Sequence, residues 1–308
     1  MTTLLLSHPD CDEHLVPLGH PERPERMEAI RQALRAERFA ALVREEAPFG
    51  NTEQARLAHA PDYVDMIEES RPEEGFAYLD GDTSMSPGSW DAALRGVGAA
   101  IRAVDAVMAG EVKNAFCAVR PPGHHAETRR AMGFCLFNNA AIAAIHAREK
   151  HGLDRVAVID FDVHHGNGTQ EIFWSEKDLL YGSTHQMPLY PGTGAPTETG
   201  VGNIFNAPMA PGSGGDEFRD AVETVILPAL ERFCPDLVIV SAGFDAHARD
   251  PLANLNLVEP DFAWITRRLL EVADRHASGR LVSTLEGGYD LQGLAGSVAA
   301  HVETLMAA

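Results

Sequence analysis

Short apolar runs at Leu4–Leu6, Ala115–Val119, Val156–Phe161, Leu179–Tyr181, Leu237–Val240 and Leu281–Leu285 recur between stretches of helical periodicity. Runs this short and this uniformly apolar read as strands buried on both faces, and their alternation with helices predicts a largely parallel sheet covered on each side. Trp90, Leu94, Val97, Ile101, Val104 and Met108 repeat at three- and four-residue steps, with Ser89 as the expected N-cap and Gly110 near the end. Phe218, Val222 and Val225 form a similar stripe, as do Ile265, Leu269 and Val272. These stripes are core-facing helix surfaces and carry no chemistry of their own. The Gly/Pro-rich stretch from Pro188 to Gly215 reads as a long loop interrupted by a strand near Ile204, a length that inside compact domains is usually functional. No linker, low-complexity tract or repeat divides the chain, so residues 1–308 are expected to form a single domain.

Composition narrows the function classes. With 45 acidic against 25 basic residues the formal charge is −20, which argues against direct nucleic-acid binding and is compatible with a cationic substrate or partner. Cys11, Cys117, Cys135 and Cys234 lie far apart with no CxxC pair, as expected of reduced thiols in the cytoplasm. The N-terminal MTTLLLSHPDCDEH has no basic leader and reads as a first strand, and no segment is long enough to span a membrane.

Five segments, RPPGHHAE, FDVHHGNG, YGSTHQ, SAGFDAH and LEGGYD, each directly follow a strand candidate, at the sheet edge where α/β proteins bind ligands. Asp160, Asp162 and His164 recur at period two after the Val156–Phe161 run, so an extended chain points them the same way. Asp162, His164 and Asp245 together offer two carboxylates and one imidazole. That set neutralises Zn²⁺ and leaves a fourth position open, as catalytic zinc sites do. The adjacent His124 and His125 follow a rigid Pro-Pro-Gly and suit proton transfer near neutral pH. His165 points the other way by alternation and takes a supporting role. Asn167 is placed to orient an imidazole without adding charge, and Asp160 to hold one with a full carboxylate. Tyr289, expected to be exposed on a flexible turn, aims a phenol at a developing oxyanion. Phe134 and Tyr190 offer aromatic walls for a narrow channel, although either, taken alone, is a core residue.

The ordered set HPERPERM, DTSMSPGS, RPPGHHAE, GFCLFNNAAIA, IDFDVHHGNGTQEIF, PGTG, SAGFDAHARDPL and LEGGYDL runs from His20 to about Leu291. It resembles the histone deacetylase and acetylpolyamine amidohydrolase superfamily, most nearly the bacterial class II-type deacetylase-like amidohydrolases. The resemblance implies a three-layer α/β/α sandwich of the arginase/deacetylase type. It also implies Zn²⁺ on Asp162, His164 and Asp245, with Fe²⁺ as the alternative metal. His125 becomes the general base, His124 its electrostatic or general-acid companion, and Tyr289 the carbonyl-polarising phenol. A potassium ion is implied at Asp160, Asp162, His164, Ser183 and Thr184, partly through main-chain oxygens, and channel walls at Phe134 and Tyr190. Asn167 stands where class I members carry aspartate. Leu252 stands where polyamine-selective members carry a gatekeeping glutamate, which favours acetyl-lysine substrates over acetylpolyamines; a small acylated metabolite is a further alternative. A homo-oligomer is compatible with this resemblance. An arginase-like manganese ureohydrolase needs further bridging carboxylates, and an acyl-lysine-binding pseudoenzyme should have lost a ligand, a histidine or the tyrosine. Neither condition is met in the sequence.

Overall fold

The computed structural model describes residues 2–308. Ten strands are present among the described residues: β1 (Thr3–Ser7), β2 (Val43–Glu46), β3 (Ala77–Tyr78), β4 (Ser84–Met85), β5 (Asn114–Cys117), β6 (Val156–Asp160), β7 (Leu179–Gln186), β8 (Ile204–Met209), β9 (Leu237–Ala242) and β10 (Leu281–Leu285). The helices are α1 (Glu25–Ala33), α2 (Thr52–Ala55), α3 (Pro61–Glu69), α4 (Ser89–Met108), α5 (Asn139–His151), α6 (Asn167–Phe173), α7 (Gly215–Ala221), α8 (Leu227–Phe233), α9 (Glu259–His276) and α10 (Leu291–Met306). Eight strands form one sheet in the order β2-β1-β5-β10-β9-β6-β7-β8, while β3 and β4 pair as a separate antiparallel ribbon. Every neighbour in the large sheet runs parallel. The strands β5, β6, β9 and β10 are buried along their whole length, as strands covered by helices on both faces must be. On the faces, α4 packs beside α5, and α10 packs against both α9 and α1, giving the α/β/α sandwich.

The edge strand β2 is absent from the apolar pattern for a physical reason. Its sequence, VREE, lies mostly exposed beside β1, where a sheet edge needs charge more than hydrophobicity. Strand β7 continues past Tyr181 to Gln186 through buried polar residues, so YGSTHQ belongs to the strand and does not follow it. Helix α4 begins at Ser89 with Gly88 in the capping position. The Ser89 hydroxyl instead meets the Ser86 amide at 2.7 Å and His14 Nδ1 at 2.7 Å. Between α7 and α8 the chain passes through a π-helical turn, Val222–Ile226, and Val225 is only half-buried, so that stripe is narrower than its spacing suggests.

One buried ion cluster joins the N-terminal loop to the sheet. Glu22 accepts from Arg26 Nη1 at 2.8 Å and from Arg120 Nη2 at 2.7 Å, with all three side chains fully buried. Arg26 also donates to the carbonyls of Gly288 at 2.7 Å and Glu286 at 2.5 Å, fastening α1 to the turn that follows β10.

His301 of α10 lies among the rings of Phe116, Phe161 and Phe244. The Thr266 hydroxyl is committed to the Phe262 carbonyl at 2.6 Å, so it accepts from His301 Nδ1 at 2.6 Å, and Ser283 donates to Nε2 at 2.9 Å. Burial pushes this imidazole down to about 3 from its ordinary 6.5. The folded state therefore binds fewer protons than the unfolded chain between these values, and stability present above pH 6.5 is lost as pH falls toward 3. We expect His301→Leu, though less stable at pH 7, to lose less stability than the wild type between pH 7 and 4 in urea titrations. The difference in slope should reflect an effect of a few kcal/mol at full extent; equal slopes would assign the acid sensitivity to other groups.

Candidate active site

Four adjacent central strands, β5, β10, β9 and β6, deliver the chemistry-bearing segments at their carboxyl ends. Their ends span only about 14 Å at ordinary strand spacing. His124, Asp160, Asp245 and Tyr289, at least 36 positions apart in sequence, therefore converge on one site, by sheet order alone.

The strand that ends at Asp160 does not continue to His164, so alternation is not what orients the ligand-type residues. A tight turn does that work. Asp160 Oδ1 accepts from the Asp162 amide at 3.1 Å, and Asp162 Oδ1 accepts from the His164 amide at 2.8 Å. Asp245 Oδ1 accepts from the Val163 amide at 2.9 Å, and Asp162 Oδ2 from the Gly287 amide at 2.9 Å, which locks the turn to the ends of β9 and β10. His164 Nδ1 then lies 3.2 Å from Asp162 Oδ1 and 3.1 Å from Asp245 Oδ2. These ligand atoms fall within 4.8 Å of one another, and all three residues are buried. A tetrahedral ion about 2.0–2.1 Å from each ligand sets ligand atoms roughly 3.3 Å apart, so the spacing fits a small divalent metal. A Cβ at Gly287 would overlap the Asp245 carboxylate, so only glycine admits this approach.

His124 and His125 sit side by side, ring centroids 4.0 Å apart, but in opposite electrostatic settings. His124 Nδ1 meets Asp160 Oδ2 at 2.9 Å, and the same oxygen accepts from the Tyr181 hydroxyl at 3.0 Å. Burial opposes charge on His124, yet the carboxylates of Asp162 and Asp160 outweigh it and raise the imidazole well above its ordinary value. His125 is pushed well below its own by burial, then by the neighbouring His124 and His164. Its Nδ1 lies 2.8 Å from Asn167 Oδ1, while Asn167 Nδ2 donates to Glu127 Oε1 at 2.8 Å. Glu127 thereby fixes which end of the amide faces His125. The imidazole must donate from Nδ1, and Nε2 is left as a bare acceptor.

The loop carrying both histidines is held from below by Glu286, whose Oε2 accepts from the amides of Gly123 at 2.6 Å and His124 at 3.1 Å. Burial raises this carboxyl to about 7. The turn carrying Tyr289 is held by Asp250, whose Oδ2 accepts from the Tyr289 amide at 2.7 Å. Tyr289 is buried, contrary to the exposed, flexible setting expected from its glycine-rich turn, because Phe134 packs edge-on at 5.9 Å and the Arg26 guanidinium lies 5.0 Å from its ring. Burial, with Asp245 nearby, raises its hydroxyl well above the ordinary value and keeps it protonated.

Phe134 adopts φ 69° after Gly133, itself at φ 57°. A side chain at Gly133 would run into the His125 ring. Tyr190 stands edge-on to His125 at 5.3 Å, so Phe134 and Tyr190 flank the histidines and Tyr289 from two sides. Leu252 is half-buried on the loop anchored by Asp250, which accepts from its amide at 3.0 Å. His165 turns away from the ligands to Thr193 at 2.8 Å and Gln170 at 3.1 Å. Ser183 pairs in register with Asp160 across β6 and β7, and Thr184 is the next residue along β7.

Sequence reasoning named the candidate reacting side chains and two of their supports, Asp160 and Asn167, and missed the others: Glu127, Glu286, Asp250, and the Glu22–Arg26 pair. Glu286 alone had a visible signal, as a carboxylate closing an otherwise apolar and hydroxyl-bearing strand.

An eight-stranded parallel α/β/α sandwich with this buried triad at its carboxyl edge defines a metal-dependent hydrolase. A family model for the histone deacetylase domain matches residues 20–305. The probable deacetylase of Archaeoglobus fulgidus is 39% identical over 300 residues, which cover 95% of this chain and 83% of that protein. The histone deacetylase-like amidohydrolase of Pseudomonas aeruginosa is 42% identical over 277 residues, 88% and 73% of the two chains. The crystal structure of the HDA15 HD domain, 35% identical, matches with a TM-score of 0.94 over 99% of this chain and 88% of its own. The chain therefore belongs to the histone deacetylase family, and it is a metal-dependent amide hydrolase acting on acylated amines. No helix among the described residues is long and apolar enough to cross a membrane.

Replacing Asp162, His164 or Asp245 by Ala should abolish bound metal together with amide hydrolysis, because a three-ligand site that loses one ligand seldom keeps its ion. Elemental analysis of the purified variants checks this; stoichiometric metal in all three would place the ion elsewhere.

Proposed function

We propose that this protein is a cytoplasmic, zinc-dependent deacetylase, acting as a single domain, that removes the acetyl group from acetyl-lysine-type amines. The observation that carries this reading is the buried Asp162–His164–Asp245 cluster facing two imidazoles of opposite charge preference. Asp160, Asp162, Asp245, Asp250 and Glu286 are all buried around the cluster, an acid surplus that asks for a cation. The two-oxygen, one-nitrogen donor set suits Zn²⁺ and accepts Fe²⁺. Such an ion, once bound, supplies Lewis acidity toward a carbonyl oxygen and toward water. A potassium ion at Asp160, Asp162, His164, Ser183 and Thr184 has support in the buried Thr184 hydroxyl oxygen, which has no hydrogen-bond partner among the described residues.

His125, neutral and bare at Nε2, takes the proton of the attacking water. Tyr289 keeps its proton and donates a hydrogen bond to the oxygen that gains charge as the carbonyl becomes tetrahedral. His124, held charged by Asp160, stabilises that negative charge through space. When the C–N bond breaks, the electron pair leaves on nitrogen and the proton stored on His125 follows it. The second proton of the water leaves the new carboxyl group for the amine, so the products are acetate and an ammonium. Two neighbouring groups with charge preferences pushed apart are what this acid–base division needs. Phe134 and Tyr190 shield the step from bulk water and flank an unbranched aliphatic arm.

Two features favour lysine-type over polyamine substrates. Leu252 gives a second ammonium no ion pair, and Asp80 is already engaged by Arg130 at 3.0 Å. The net charge of −20 attracts any polycation, but this attraction is screened beyond about 8 Å at physiological salt and selects weakly among cations. We expect kcat/KM for acetyl-lysine peptides to exceed that for acetylspermidine, with Leu252→Glu shifting the ratio toward the polyamine. A wild-type preference for acetylspermidine would overturn the assignment.

A second test addresses the base. Asn167→Asp combined with Glu127→Gln places a carboxylate on His125 Nδ1 while preserving a donor for it. The acid limb of the kcat/KM profile should then move to higher pH, since a negative neighbour favours the imidazolium. An unmoved limb would mean that His125 is not the group titrating in that limb.

A further inference from the structure

Asp105, His146 and His151 form a second cluster with ligand atoms within 4.8 Å of one another, away from the active site. Asp105 lies in the last turn of α4; His146 and His151 lie in the last two turns of α5, His151 being its final residue before Gly152 closes the helix at φ 68°. Strands β5 and β6 begin just after these helices end, so the cluster sits at the amino edge of the sheet. The catalytic residues lie past the carboxyl ends of the same strands, at least ~15 Å away along the strand direction.

We infer that Asp105, His146 and His151 form a second Zn²⁺-binding site that clamps α4 to α5. Both imidazoles bring Nε2 to the same carboxylate oxygen, His146 at 2.8 Å and His151 at 2.7 Å from Asp105 Oδ1, with the rings 5.6 Å apart and nearly perpendicular. Two imidazole nitrogens and one carboxylate oxygen converging on one point are a borderline donor set that favours zinc among common divalent ions. Bound to the ion, each imidazole is the neutral tautomer with its single proton on Nδ1 and a bare Nε2 toward the metal. The side chains of His146, His151 and Asp105 are 12%, 22% and 41% exposed, so water can reach and complete the coordination. The helix ends add to the attraction, because the carboxyl termini of α4 and α5 present partial negative charge to a cation. Competing cations are engaged elsewhere. Arg102, one turn before Asp105, is held by Glu45 at 2.8 Å and Glu111 at 2.7 Å, and Arg148 reaches Asp178 at 3.4 Å.

The test is calorimetric titration of ZnCl₂ into enzyme already carrying one equivalent of zinc and fully active. The wild type should take up a second equivalent and unfold at a higher temperature when it does. His146→Ala, His151→Ala and Asp105→Asn should lose that uptake and the thermal shift while keeping deacetylase activity. His151, at a helix end, is the variant least able to disturb folding, and circular dichroism checks each. A wild type that takes no second equivalent, or a folded His151→Ala that still does, overturns the inference. Asp162→Ala separates this inference from the catalytic assignment, since it should lose the catalytic ion and retain this one.

Discussion

The architecture turns on one electrostatic constraint: five carboxyl groups, Asp160, Asp162, Asp245, Asp250 and Glu286, are buried together at the ends of four parallel strands. Burial alone disfavours each charge, so each needs donors or a cation. Backbone amides supply part of the answer, as at the Val163, His164 and Gly287 nitrogens. They leave Asp245 Oδ2 facing only His164 Nδ1, and Asp162 Oδ1 shared between that nitrogen and the His164 amide. Asp245 shows the residual tension, raised to about 7 by burial and by the Asp162 charge beside it. A divalent ion resolves that tension, and the surrounding layers serve to hold the carboxylates where it can.

Those layers share one design. Each of these side chains is fixed by a neighbouring polar group: His124 by Asp160, His125 by Asn167 and through it Glu127, the His-His loop by Glu286, the Tyr289 turn by Asp250 and Arg26. Glu22 in turn pairs with both Arg26, four residues on, and Arg120, 98 residues away in sequence. Removing one member of such a fully buried ionic group strands a charge, at a cost of about 3–5 kcal/mol. The positioning network is thus also a folding constraint.

Much of this was legible in the chain itself. Asp162, His164, Asp245, His124, His125 and Tyr289 stand out because hard ligands after apolar runs are chemically conspicuous, and strand runs such as Leu237–Val240 are unmixed. What stayed hidden depends on spatial neighbours. Strand β2 exists through pairing with β1 and carries no apolar signature of its own. The turn at Asp162–His164 imitates strand alternation while being set by side-chain acceptors. Tyr289 follows two glycines and so reads as mobile, but Phe134 and Arg26, from distant segments, bury it. The opposite charge preferences of two adjacent histidines come from Asp160 and Asn167, and no local pattern around His124-His125 encodes that division.

The most direct measurement of the central claim is anomalous diffraction at the zinc edge from crystals of active enzyme. A peak should lie between Asp162, His164 and Asp245, about 2.0–2.2 Å from one atom of each. Fully active crystals with no metal peak among these three side chains would contradict the account.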